Sequence, residues 1–137
     1  MARGVRSRSP GSYHDLHFHY VQDDRGRTAV IVRIWRTGID MERAEEYDRF
    51  VVERSLPMFR RQPGLTAVYF TRTGEEDRAV VTVWADATAV SALDTSDEYQ
   101  ETTAAIIAAG FLRTPQTVEL MPVDLSWPTG PHSHETS

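Results

Sequence analysis

The chain has 137 residues, 40% of them hydrophobic and 26% charged, the make-up of one globular domain with enough apolar material for one core. The net charge of −5 argues against general nucleic-acid binding, and no apolar run reaches the ~20 residues of a membrane-spanning helix. Cysteine is absent and all 15 basic residues are arginine, which excludes disulfides, cysteine–metal centres, thiolate nucleophiles, Schiff-base lysines and the lysine of a phosphate-binding loop.

Residues 1–27 form an N-terminal segment of tail composition, with Arg3, Arg6, Arg8 and Pro10 early and no apolar core for a secretory signal. Within it, residues 16–22 carry the alternation of a short extra strand. His17 and His19 fall on one face there, and with His14 or Asp15 they form a candidate metal set. A cysteine-free chain without a leader is expected in the cytoplasm, and no cofactor is expected.

Residues 28–125 parse as one domain. Residues 28–36 predict a β-branched strand with Val30, Val32 and Ile34 on one face and Ile31, Arg33 and Trp35 on the other. Asp40 caps a helix over residues 41–55 that buries Ala44, Tyr47, Phe50 and Val51. Pro57 opens a separate short helical piece over residues 58–62, which Pro63 and Gly64 end. Strands follow over residues 65–73 and 78–85, joined by a polar loop. Asp86 caps a short helix through Leu93, and Ser96 caps another over residues 97–109, stopped by Gly110. After a connection over residues 111–115, residues 116–123 predict the last strand. Residues 126–137 are a second tail.

The order β-α-β-β-α-β is the ferredoxin-like arrangement, an α+β fold with helices on one face of a four-stranded antiparallel sheet. The strands are apolar on both faces: Val81 and Val83 oppose Val80 and Trp84. A lone copy exposes one such face, so a two-fold homodimer pairing sheet to sheet is expected, with cover by the tail residues as the alternative.

Four stretches then stand in a familiar order: Val32-Arg33-Ile34-Trp35, residues 58–65 with Pro63-Gly64, Val81-Thr82-Val83-Trp84, and Ser96-Asp97-Glu98-Tyr99. They resemble the antibiotic biosynthesis monooxygenase family, dimeric α/β-barrel proteins, over about residues 28–123. The resemblance implies the ferredoxin-like fold, a homodimer and, for some members, cofactor-independent oxidation of aromatic polyketides. It makes Trp84 the counterpart of an active-site tryptophan. It also sets Val80 where polyketide-oxidising members carry an asparagine. Haem-degrading members carry asparagine, tryptophan and an iron-binding histidine at about Val32, Leu93 and Thr103. With every histidine outside the core, ordinary haem ligation is not expected.

Beside the resemblance, the residues support an apolar pocket under the helices, lined by Val32, Val80, Thr82 and Leu93. Trp84 is its platform for a flat aromatic substrate. Tyr47 and Tyr99 are candidate hydrogen-bond donors. Arg33 is either a partner for an anionic substrate group or the ion-pair partner of Glu119 or another acid on a neighbouring strand, across a dimer sheet. Each aromatic is also readable as an ordinary core residue, the tyrosines more readily so than Trp84. The expected function is cofactor-independent oxygenation of an aromatic small molecule. The alternatives are a non-catalytic small-molecule binding or accessory subunit, and metal chemistry at the N-terminal histidines.

Overall fold

Four runs of alternating and β-branched residues become the strands of a single antiparallel sheet in the computed structural model, which describes residues 29–127. They are β1 (Ile31–Ile39), β2 (Leu65–Arg72), β3 (Asp77–Trp84) and β4 (Leu112–Pro122), in the spatial order β2-β3-β1-β4. The helical segments are α1 (Ala44–Phe50), α2 (Leu56–Arg60), α3 (Ala87–Thr95) and α4 (Asp97–Ala108). The expected ferredoxin-like α+β fold is present. The N-terminal segment, its extra strand and His14, His17 and His19, and the C-terminal tail beyond residue 127, lie outside the described residues. Among the described residues no helix is long and apolar enough to cross a membrane.

The predicted caps form. Asp40 accepts from the Glu42 N–H at 3.0 Å, Asp86 from Ala89 at 2.9 Å and Ser96 from Tyr99 at 3.1 Å. Pro57 sits in the first turn of a short second helical piece, as expected, but that piece spans Leu56–Arg60 and is continuous with the helix before it. A 3₁₀ turn (Met41–Arg43), α1, a wide π turn (Val51–Ser55) and α2 run on as one helical stretch. Pro57 has no N–H to give the preceding turn, and the widened backbone immediately before it accommodates that loss.

The last strand also differs from expectation, beginning at Leu112 rather than at residue 116. Gly38 and Ile39 pair with Arg113 and Leu112, extending β1 to Ile39. The register shifts between Arg36 and Gly38. This bulge takes up Pro115, which cannot donate to a regular ladder.

Ladder registers fix the two faces. Ile31 opposes Trp84, Arg33 opposes Thr82 and Trp35 opposes Val80, so these six share the face under the helices. Val32, Ile34, Val81 and Val83 lie on the other face. Val32 therefore does not line a pocket under the helices, and the expectation that it shares a pocket with Val80 is corrected. Side chains alternate with period two, and Val80 pairs with Trp35 rather than with an even-numbered residue of β1.

Two apolar clusters fill the layer between sheet and helices. One gathers Met58, Phe59, Val80, Trp84, Val90 and Leu93 about β3. The other gathers Ile39, Tyr47, Val51, Ile106 and Phe111 about the far end of β1. Gly64 leads into β2 at φ +86°, and a Cβ there would stand 2.4 Å from that of Ala89.

Candidate functional site

A cavity opens at the seam between the two clusters, where neither packs fully against the other. Arg33 and Trp35 of β1 and Val80 of β3 form its floor. One wall comes from Tyr47, Val51 and Ser55 and from Met58 and Phe59 of α2. The other is the face of α4 that carries Tyr99, Thr102, Thr103 and Ile106, at spacings of three and four residues. Its volume is about 40 Å³, room for a few waters and well below the ~150 Å³ of a cavity that takes benzene. An aromatic ligand must therefore displace side chains on entry. Trp35 and Tyr99 are only half-buried.

Arg33 is the cavity's charged group. It is 3% exposed and makes no ion pair among the described residues. Its Nη2 donates to the Tyr99 hydroxyl at 2.8 Å, and its Cζ lies 5.4 Å from the Tyr99 ring centroid. Its Nε is buried without a partner. The alternative of a pair with Glu119 fails, because Glu119 projects from the opposite face and binds Arg36 at 2.8 Å. Burying a guanidinium without a counter-charge is costly, and a cavity beside it leaves space for an anion.

Tyr47 supplies a second polar group. Burial pushes its phenol up to about 12, against a smaller opposing effect of the Arg78 cation. The Arg78 Cζ lies 5.9 Å from the Tyr47 ring centroid, and Phe111 packs edge-on at 6.1 Å. Arg78 is itself buried, its Nη1 donating to the carbonyls of Gly74, Glu75 and Asp77 at 3.0–3.2 Å. It ties the β2–β3 turn down and backs Tyr47.

Of the residues singled out from the sequence, Arg33, Tyr47, Tyr99 and Val80 come together on the cavity. Trp84, Thr82 and Leu93 are buried beside it without lining it. Trp84 is fully buried, and its indole N–H donates to the Thr82 hydroxyl at 2.7 Å. Its surface is occupied by the β3 cluster, so the aromatic floor of the cavity is Trp35 instead. The sequence does hold a signal for Trp35: once Arg33 is placed inside, Trp35 two residues on must share its face. Thr103 stands where the resemblance sets the iron-binding histidine of haem-degrading members, whereas Ser55 and Thr102 carry no comparable signal, because their positions depend on how α4 and the π turn meet.

No family model matches the chain, and no curated protein does. Solved structures do. NE2512 from Nitrosomonas europaea, of unknown function, superposes with a TM-score of 0.62 at 20% identity, over 77% of this chain and 100% of its own. A candidate antibiotic biosynthesis monooxygenase from Caulobacter crescentus superposes at 0.62 with 15% identity, over 75% and 97%. SnoaB, a cofactor-independent oxygenase from Streptomyces nogalater, superposes at 0.55 with 18% identity, over 75% and 98%. The chain has the fold of the antibiotic biosynthesis monooxygenases.

Proposed function

We propose that this protein is a cofactor-independent oxygenase acting on an aromatic, polyketide-type small molecule held between Trp35 and the α4 wall. The observation that carries this is the buried Arg33 guanidinium, without a counter-ion among the described residues, at the edge of an apolar and aromatic cavity. That combination suits a flat substrate that becomes anionic. The fold shared with SnoaB supports the reaction class.

In an anthrone-type substrate, loss of a proton from the ring CH₂ to water, which returns it when the peroxide forms, gives a carbanion conjugated with its phenolate oxygen. The carbanion passes an electron to dioxygen, and the radical pair combines as a C–O bond. The resulting hydroperoxide loses water to leave a carbonyl. One oxygen atom ends in the product and the other in water, and the CH₂ supplies both hydrogens. Arg33 lies where it stabilises the anion, the apolar wall excludes water, and Tyr99 holds the guanidinium in place.

A homodimer formed through the outer sheet face belongs to the same proposal. Val32, Ile34, Val81 and Val83 line that face, with Tyr69 57% exposed on β2. Sheet-to-sheet pairing buries them and leaves each cavity on its own helical side.

A non-catalytic binding subunit is the second reading. The small cavity volume and Val80, which offers no hydrogen bond to a substrate, favour it. Oxygen uptake by metal-stripped protein, with a panel of anthrones and polycyclic phenols against protein-free controls, separates the two. Saturable uptake with quinone formation, lost on Trp35→Ala, is the expected outcome. Ligand-induced stabilisation with no uptake for any compound would establish the binding subunit.

A further inference from the structure

Oxygenation of a carbanion needs something to remove a proton, and the cavity wall bears on that need. Its polar members are Arg33, Tyr47, Tyr99, Ser55, Thr102 and Thr103. Among the described residues no carboxylate or imidazole lines it. The nearest acid in sequence to Tyr99 is Glu98, whose carboxylate is engaged by Arg61 and, at 3.3 Å, by Gln62. The Thr102 hydroxyl is spent on the Glu98 carbonyl at 2.8 Å. Tyr47, whose phenol burial pushes up to about 12, keeps its proton near neutral pH. The other elements around Arg33 present Thr82 on β3 and Leu120 on β4, neither of which titrates. The walls hold a permanent cation and proton donors, and nothing described there accepts a proton from a weakly acidic ligand.

We infer that the site selects substrates that are acids in their own right: aromatic enols and phenols that ionise by losing a proton to water and bind as monoanions paired with Arg33. This rests on the cavity of the proposed function and narrows its substrate class. A weakly acidic phenol, ionising near pH ~10 in water, stays mostly neutral at neutral pH even beside the guanidinium, because one nearby cation favours its anion by only about 1–2 pH units and no base among the described lining residues adds to that. An acidic one has its ionised form favoured by the guanidinium, which is buried and has no counter-ion among the described residues. Arg33 is the one cation on the described lining, Arg78 standing behind the Tyr47 ring with its Nη1 on the backbone carbonyls of the β2–β3 turn, so the lining specifies a single charge.

The test uses 4-nitrophenol, which changes colour on ionising, and nitrobenzene as its neutral counterpart, with the full chain. The expected result is a bound 4-nitrophenol that ionises at least about one pH unit lower than the free compound, a tenfold preference for the anion. Arg33→Gln should abolish that shift and Arg33→Lys should keep part of it, since lysine retains the charge without the fork. A bound probe that ionises at or above its free midpoint overturns the inference. So does failure of 4-nitrophenolate to bind, or a lowered midpoint that survives in folded Arg33→Gln. Should Arg33→Gln not fold, the direction of the wild-type shift and the Arg33→Lys response decide. Nitrobenzene binding without nitrophenolate binding leaves the apolar pocket of the proposed function standing and removes the charge selectivity. A lowered midpoint without oxygen uptake from any anthrone does the reverse.

Discussion

A guanidinium taken out of water costs several kcal/mol unless something compensates its charge, and Arg33 has one neutral partner, the Tyr99 hydroxyl. Its type and position were visible in the sequence, as an arginine amid apolar strand residues. Which face it took was the undecided point. Glu119 was an available acid and goes instead to Arg36. Trp84 shows the converse: the resemblance marked it for the site, and its contacts place it in the core with Thr82. Tyr47 yields a prediction of its own. Its folded phenol titrates at about 12, above the ordinary value of 10. Folding therefore holds a proton that the unfolded chain releases, and stability is full below pH 10 and falls as pH rises through 12. The loss amounts to roughly 2–3 kcal/mol. Urea unfolding at stepped pH should show this alkaline decline, and Tyr47→Phe should remove it.

Punctuation residues set the elements, and most of them were readable in advance. Ser96, Asp86 and Asp40 cap where short polar side chains before apolar runs should cap. The Ser96 cap fixes where α4 begins, and so which of its residues, Tyr99 among them, face Arg33. Two features were not readable. A proline can end a helix or follow a widened turn, and the packing of Val51 and Ser55 selects the second at Pro57. Pro115 reads as a strand breaker, yet a bulge lets β4 run through it. At Gly64 both a left-handed φ and the close approach of Ala89 demand glycine. Gly64→Ala should destabilise by about 2 kcal/mol or more. In a domain this size that lowers the thermal midpoint by roughly 10 °C. A midpoint within a degree or two of wild type would show that α3 yields easily at that contact.

For the molecule as a whole, the two faces of the sheet divide the work. The helix side builds the cavity, while the outer side carries Val32, Ile34, Val81 and Val83 with no element of the described residues laid across it. On the dimer proposal, Ile34→Arg places a charge at the centre of the paired sheets. Sedimentation should then show a two-fold drop in mass with the fold retained, and unchanged mass would remove the outer face as the interface. On the same proposal, ligand binding at Arg33 should survive dissociation, because the cavity lies under the helices, on the face of the sheet opposite Val32, Ile34, Val81 and Val83.

The sequence by itself determined the strand and helix order, the caps, the two-sided apolar character of the strands and the exclusion of thiol and lysine chemistry. These follow from composition and from periodicities of 2 and 3.6, which are local properties of a chain. Tertiary structure alone decided that Arg33 and Trp35, rather than Val32 and Trp84, face the cavity. Strand alternation yields two faces without saying which one the helices cover. That is settled by the pairing of β1 with β3 and by how α4 and the π turn pack over them.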